Sequence, residues 1–428
     1  MRIAILTSGR FHACDLAREL AGRGHDVRFY SLVPPARTRR FGLPAACNRW
    51  LGGWVGPLYG VTRLGLRTRY ASGLLLLMSV VIDRVAARLI EPCDLFIGMS
   101  QMSLRSIDTV RRRFGARAWL ERGSRHILSQ REILERLPRP AAAPRPIPDW
   151  AVHRELAEYA LADLIVVPSR QAEQSFLERD VPSGRLFRNP YGVDLSMFPA
   201  TPAPPASVPP TIIMAGAWSL QKGCDVLAEA WRRLPRRNTR LLHVGPVHDA
   251  PLPADPGFAH RAAVDQRRLT ELYAQAHVMG LASRQEGLGL VLAQALASGL
   301  HVAATAPTGV EDLQEQLDDR SAVAVAPADD VEAFAAALGA QLQRACAQPA
   351  GRRELLGGAR ERLTWSAYGD RYDSRILQLE RAHRCSWRQP SAAAGARSAP
   401  PGPSPGRAPH ADRHGGLSPR VTVKPDNA

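Results

Sequence analysis

The stretch "TIIMAGAWSLQKGCDVL", Thr211–Leu227, carries a strand, a turn and a helix start in direct succession. Thr211–Ala215 is a short continuous apolar run of the kind found in strands buried on both faces. Gly216 opens a turn through Trp218 and Ser219, and Gly223 lets the backbone come close before a helix carrying Val226, Leu227 and Ala230. That order is one βα unit of a parallel sheet, where ligands lie beyond the carboxyl ends of the strands and beside helix N-termini that favour anions. Lys222 falls at that point. Of 56 Lys and Arg residues, only Lys222 and Lys424 are lysines. A compact charge on a thin stem suits a tight phosphate pocket that would exclude the planar fork of arginine. The competing reading is a lysine left on a helix surface by chance, since the stretch has the spacing of neither a Walker loop nor a dinucleotide fingerprint.

Outward from this unit, apolar runs alternate with helical patterns on both sides, the signature of a doubly wound parallel sheet. Upstream the pattern predicts strands at Ile3–Leu6, Val27–Leu32, Asp94–Gly98, Ala116–Leu120 and Leu164–Pro168. Downstream it predicts Leu241–Gly245, His277–Ala282, Val302–Thr305 and Ala322–Val325. Between them "FPATPAPPASVPP", Phe198–Pro210, reads as a semi-rigid linker, because its prolines can join neither a helix nor a central strand. The fold class is therefore α/β with two Rossmann-like domains, 1–197 and 211–383, joined by residues 198–210. A chain of 428 residues agrees with two ordinary cores. Residues 384–428, dense in Pro, Gly, Ala and Ser, bury too little to repay their ordering entropy and read as a disordered tail. The helix after Trp365 is expected to cross back to the first domain.

Composition limits the function classes. Six cysteines stand without CxxC pairs or metal-ligand spacing, which argues for a reducing, cytoplasmic setting and against a disulfide framework or a zinc site. The first residues, "MRIAILTSGRFHACDL", lack the long apolar core of a secretory signal. The most apolar run, "GLLLLMSVVI" at Gly73–Ile82, is about half the length of a membrane span. The net charge of +16 calls for an anionic partner, and it is unevenly placed. From Ser31 to Ile82 there is no acid, while Arg37, Arg39, Arg40, Arg49, Arg63, Arg67 and Arg69 alternate with Phe41, Trp50, Trp54, Tyr59 and Tyr70. Residues 37–70 thus suit an anionic membrane surface, with rings at headgroup depth and charges on lipid phosphates. Nucleic acid or a merely solvated basic face would give the same pattern, but no nucleic-acid module is recognisable and none is expected as a partner.

A second constellation is "SRQEGLGLVLAQALASGLHVAAT", Ser283–Thr305. Glu286 ends a predicted strand, Gly287 and Gly289 permit a tight turn with exposed N–H groups, and a helix runs from there to a stop at Gly299. Gln294 lies among Val291, Leu292, Ala293 and Ala295, an unusual place for a casual amide. A loop carboxylate and a polar side chain on the next helix are suited to different parts of one long polar ligand.

The second half resembles the family 4 glycosyltransferases of the GT-B fold, which transfer a sugar from a nucleotide diphosphate with retention of configuration. "GAWSLQKGCDVL" resembles that family's Lys-Gly element, "LTELYAQAHVMGLASRQEGLGLVLAQALASGLHVAAT" its donor-site block, and "FRNPYGVDLSMF" the segment leading into its linker. "GRFHACDLARELAGRGHDV" and "LERGSRHILSQ" are similar to first-domain elements of one branch. The resemblance covers roughly residues 1–380. It implies two Rossmann-like domains facing a cleft, with the first on the acceptor side. It makes Lys222 a diphosphate ligand and Glu286 a contact to the donor sugar near the reacting carbon, and puts Gly216 and Trp218 on the donor side. Gly287, Leu288 and Gly289 would offer N–H groups to the leaving phosphate. His126 would face the transferred sugar across the cleft, and Gly9 and His12 would line the acceptor side. Two positions depart from the family: Ala217 stands where an arginine is usual, and Gln294 where a second glutamate usually binds the ribose.

The chemistry agrees. Breaking the bond to a diphosphate builds negative charge on the leaving group, which a lysine and a helix N-terminus stabilise without a metal. Asp318 and Asp319 are an acidic pair assigned no metal, and no cofactor is expected beyond the nucleotide sugar as co-substrate. No evident carboxylate nucleophile of the kind retaining hydrolases use is offered on the acceptor face, so departure and attack on the same face is the favoured route. The expected activity is hexosyl transfer to a glycan or lipid-linked acceptor in bacterial exopolysaccharide or envelope synthesis, at the inner face of the plasma membrane. The alternative is a non-catalytic nucleotide-sugar or glycan-binding protein of the same fold.

Overall fold

A computed structural model describes residues 1–56, 71–138, 146–205, 207–234, 239–348 and 354–386. Two parallel sheets carry the chain. The first takes β1 (Arg2–Leu6), β2 (Asp26–Ser31), β3 (Asn48–Trp50), β4 (Leu95–Met99), β5 (Arg117–Glu121), β6 (Leu164–Val167) and β7 (Leu186–Arg188), in the order β3-β2-β1-β4-β5-β6-β7. The second takes β8 (Thr211–Ala215), β9 (Arg240–Val244), β10 (Phe258–Arg261), β11 (Val278–Leu281), β12 (His301–Thr305) and β13 (Val323–Ala326), in the order β10-β9-β8-β11-β12-β13. Every pairing is parallel; Ile3 faces Val27 on one side and Leu95 on the other, as Ile212 faces Leu241 and Val278. All residues of β6, β8 and β12 are buried, as strands covered by helices on both faces must be.

Each sheet reverses its strand order once, between β1 and β4 in the first and between β8 and β11 in the second. Those reversals open crevices at the carboxyl ends of the strands, and the candidate residues come after β1, β8 and β11, except His126, which follows β5. The predicted strands agree with the observed ones to within about a residue. β3, β7 and β10 are additional. They are edge strands of three or four residues, and "NRW" and "FAHR" carry no apolar run because one side of an edge strand needs no cover.

Both sheets lie in one compact unit, Met1–Leu377, with Gln378–Ala428 a separate one. The linker segment is packed rather than free: Phe198 and Ala200 are buried, and Thr201 donates both its N–H and its hydroxyl to the Ser298 carbonyl, at 3.2 and 2.9 Å. The helix beginning at Trp365 crosses back to the first sheet. Its Tyr372 and Tyr368 hydroxyls donate to buried Glu121 at the end of β5, at 2.6 and 3.3 Å, while Asp370 pairs with Arg23 and Asp373 with His25. This helix ends at Ser386, and the expected tail beyond it lies outside the described residues, as do Tyr59, Arg63, Arg67, Arg69 and Tyr70. The run Gly73–Ile82 lies on the helix Ala71–Leu89, and among the described residues no helix is long and apolar enough to cross a membrane.

Candidate functional site

Lys222 closes a single 3-10 turn, Leu220–Lys222, capped by the Ser219 hydroxyl, which accepts the Lys222 N–H at 3.4 Å. Gly223 then takes φ +63°, and a Cβ there would stand 2.0 Å from the Ala282 carbonyl oxygen just beyond β11. Only glycine lets the helix Cys224–Arg233 start so close to the neighbouring strand. The result brings Lys222 to Glu286. Its Nζ forms an ion pair with Glu286 Oε1, which also accepts from the Ser283 hydroxyl at 2.9 Å. A lysine left by chance on a helix surface has no reason to meet the other candidate charge. The loop bearing Glu286 is tied down by its neighbours: Arg284 forks onto Asp225 with two 2.8 Å bonds and reaches Asp329 at 2.6 Å.

The same loop touches the first half of the chain. Gln285 accepts from Gln221 at 2.9 Å and donates to the Ser124 hydroxyl, and Ser169 donates to the Gly287 carbonyl at 2.6 Å. A Cβ on Gly287 would lie 2.0 Å from the Gly123 carbonyl oxygen, so the two loops meet backbone to backbone. Of the three expected N–H donors, those of Gly287 and Leu288 have no protein partner among the described residues, whereas that of Gly289 donates to the Thr308 carbonyl at 3.0 Å. Two unspent N–H groups therefore precede the helix Leu290–Ala297, within the loop whose carboxylate holds the lysine.

Gln294 belongs to a different grouping. It is half-buried and borders a cavity of about 180 Å³ with Arg10, Phe11, His12, Leu290 and Trp365. His12 is buried, bonded through Nε2 to Glu121 at 3.0 Å and stacked on Tyr191 with ring centroids 4.4 Å apart. Gly9 is bracketed by the Thr7 hydroxyl, which accepts its N–H at 3.3 Å and donates to its carbonyl at 3.1 Å. Beside it Phe11 has φ +35° and is 57% exposed, a backbone state that non-glycine residues adopt rarely and that clusters at functional loops. Arg10 stacks its guanidinium 3.6 Å from the Phe41 ring centroid and lies 3.3 Å from Asp15.

Two residues stand apart from the positions the resemblance implies. His126 caps the helix Ile127–Glu135, its Nδ1 accepting the Leu128 N–H at 3.3 Å, and its ring is enclosed by Tyr159 and Phe176, each 5.0 Å away. Burial, with Arg122 and Arg179 nearby, pushes this histidine down to about 4, so it is neutral at physiological pH. Trp218 is 1% exposed; its indole donates to the Pro251 carbonyl at 3.0 Å, and its N–H and carbonyl are bonded to Pro246 and His248. It packs the second sheet rather than offering a face to a ligand. Gly216 has φ +134°, and its carbonyl accepts from His243 Nε2 at 2.9 Å. His243, Gln285, Ser124 and Ser169 are not legible as site residues in the sequence. Gln285 and Ser124 stand within the quoted motifs, but nothing in a linear chain signals that they meet.

Two doubly wound sheets, with the loop after β11 in contact with the loops after β5 and β6, give the chain a GT-B architecture. Comparison with known proteins agrees. Residues 209–344 match the family described as Glycosyl transferases group 1. It is 30% identical over 278 residues to the D-inositol 3-phosphate glycosyltransferase of Xylanimonas cellulosilytica, a match covering 58% of this chain and 64% of that protein. The match thus spans under two thirds of that relative's length. Among solved structures, the sucrose-phosphate synthase of Thermosynechococcus elongatus superposes with a TM-score of 0.56 at 19% identity, covering 89% of this chain and all of that one. Anabaena HepE in complex with UDP and glucose gives 0.58 at 11% identity, covering 88% of this chain and 100% of that one. The Escherichia coli structure described as trehalose-6-phosphate bound with UDP-2-fluoro glucose gives 0.58 at 13%, covering 88% and 99%.

Proposed function

We propose that this chain is a retaining glycosyltransferase that moves a hexose from a nucleotide diphosphate to a glycan or lipid-linked acceptor. The observation that carries the reading is the Lys222–Glu286 pair set beside the unpaired N–H groups of Gly287 and Leu288. A diphosphate entering there draws Lys222 from Glu286 and accepts the two N–H groups, which frees the carboxylate for the donor sugar. The bond from the anomeric carbon to the phosphate oxygen breaks, the acceptor oxygen attacks the same face, and its proton passes to the leaving phosphate. Lys222 and the N–H groups hold the charge that develops, the effect that most lowers such barriers. The complexes of HepE with UDP and glucose support a nucleotide sugar as donor.

On this reading Gln294 takes the ribose edge as an amide, and Gly9 and His12 border the acceptor. His126 acts through packing, since its ring is enclosed. The reading further includes a cytoplasmic protein held at the inner face of the plasma membrane, working in exopolysaccharide or envelope glycan synthesis; unpaired cysteines are compatible with that compartment. A soluble phosphorylated acceptor is the second reading, favoured by the names of the inositol-phosphate and sucrose-phosphate relatives and by Arg10 beside the acceptor loop.

The test is thermal stabilisation by UDP, GDP and ADP, each with its sugars, on the native chain and on Lys222→Ala. A ligand that binds only the native state raises the melting temperature. Stabilisation by one nucleotide that is lost in the variant supports the donor site; no stabilisation by any of them refutes it.

A further inference from the structure

The helices Ala71–Leu89 and Leu104–Phe114 pack against each other in the first half of the chain, and a groove of about 750 Å³ runs along their junction, lined by none of the donor-side or acceptor-side residues. Arg84 and Arg88 face it one turn apart from the first helix, and Arg105 and Arg112 two turns apart from the second. Its one acid, Asp108, is already bonded to Arg112 at 2.7 Å. Arg84, Arg88 and Arg105 have no carboxylate partner among the described residues. The neighbouring acid, Asp83, is fully buried and turned inward, where it accepts the Arg105 and Ser106 N–H groups at 2.8 Å and pairs with Arg154.

Several other arginines of the described surface are paired with acids. Arg2 pairs with Asp94, Arg18 with Asp15, Arg49 with Glu91 and Arg179 with Glu132. An open groove with three guanidiniums lacking acid partners is a concentrated positive field that favours a ligand carrying more than one negative charge. Its apolar elements narrow the choice. Ala87, Leu104 and Leu161 form part of the lining, and Leu77, 51% exposed, lies seven and eleven residues before Arg84 and Arg88, on the same helical stripe. A soluble polyanion has no use for an exposed leucine in line with its cations. A lipid surface uses both, the arginines meeting phosphates and the leucine the acyl boundary.

We propose that this groove seats the phosphate headgroups of an anionic lipid surface. The proposal rests on the membrane-associated part of the proposed function and places the contact in this groove: within the basic stretch 37–70 Arg49 is spent on Glu91, while Arg37, Arg39 and Arg40, like three of the groove's cations, lack an acid partner among the described residues, so charge reversal of each patch decides between them. Each basic residue at an anionic surface is worth roughly a fivefold change in binding, so reversing two should weaken it by at least about 30-fold.

The experiment sediments the full chain with vesicles of phosphatidylcholine containing phosphatidylglycerol, and with phosphatidylcholine alone. Binding that needs phosphatidylglycerol, falls at least about 30-fold in Arg84→Glu/Arg105→Glu and survives in Arg37→Glu/Arg39→Glu/Arg40→Glu is the expected result. Arg84→Gln/Arg105→Gln, with its melting temperature checked, guards against misfolding and should bind at an intermediate level. Native-level binding by the Glu double variant, or equal binding to pure phosphatidylcholine, overturns the proposal. So does full release of the chain by millimolar pyrophosphate at constant ionic strength, which would assign the groove to a soluble phosphate ligand. Vesicle binding that persists when no nucleotide stabilises the chain would sink the transferase reading and leave this one standing.

Discussion

Lys222 is paired with Glu286, and on the proposed reading a donor diphosphate displaces that carboxylate to reach it. Replacing Lys222 with Ala should lower turnover by about 10²- to 10³-fold, the usual loss when one charge-stabilising donor is removed. Lys222→Arg should recover little of it, since on the proposed reading the phosphate site takes a compact ammonium in place of a wide planar fork. Steady-state assays of donor consumption check both, and near-native turnover in Lys222→Ala would remove the residue from the mechanism. His126 makes a separate prediction about pH. Its folded value near 4 lies below the ordinary 6.5, so between those two the unfolded chain binds the extra proton and the folded chain does not. Stability must then fall as pH drops through 6.5 and level off below 4, a loss of at most about 3 kcal/mol from this residue. The stability difference between the native chain and His126→Gln, tracked by urea denaturation from pH 7 to pH 4, should shift in favour of the variant as the pH falls. A pH-independent difference would contradict the burial of the ring between Tyr159 and Phe176.

Among the elements, the loop before the helix Leu290–Ala297 is fixed by close backbone approaches rather than by its own propensity. The Gly287 Cα lies against the Gly123 carbonyl, and Ser169 donates to the Gly287 carbonyl. Gly287→Ala requires the two loops to separate, because its Cβ would meet backbone that has no freedom to yield. We expect a melting-temperature drop corresponding to about 2–3 kcal/mol together with loss of donor stabilisation. Gly339→Ala, whose Cβ would find only the Leu234 side chain at 3.5 Å, should be harmless or slightly stabilising in its helix. Equal behaviour of the two variants would show that the loops do not meet in solution.

For the molecule as a whole, the helix from Trp365 is tied to the first sheet through one buried carboxylate. Glu121 accepts from Tyr372, Tyr368 and His12, so a single group at the end of β5 collects the returning helix and the loop after β1. Tyr372→Phe removes one donor and should cost about 1–2 kcal/mol. Glu121→Leu strands three polar groups in an apolar site and should cost about 3–5 kcal/mol. Chemical denaturation ranks the two, and the reverse order would mean that the carboxylate is not the hub. The linker is anchored to the second half through Thr201 and Ser298, and opening of the two sheets must break the Ser169–Gly287 and Gln285–Ser124 bonds that join them.

The alternation of apolar runs with helical patterns was enough to place both doubly wound halves and the central strands, because a strand buried on both faces must be almost wholly apolar, as "LIVV" and the "IIMA" of β8 are. Lys222 stood out as one of two lysines among 56 Lys and Arg residues, Glu286 for its place at a strand end before Gly287 and Gly289, and Gln294 as an amide among apolar neighbours. Three of the four edge strands, β3, β7 and β10, left no such mark, since pairing on one side asks little of three or four residues. Only tertiary structure decided which candidates meet. It joined Lys222 to Glu286, sent Gln294 to the loop after β1, enclosed His126 and Trp218, and set Gly123 against Gly287 across more than 160 positions of chain. Local pattern records what each residue needs from its own element, whereas contact between distant loops depends on how whole sheets pack, which no short stretch encodes.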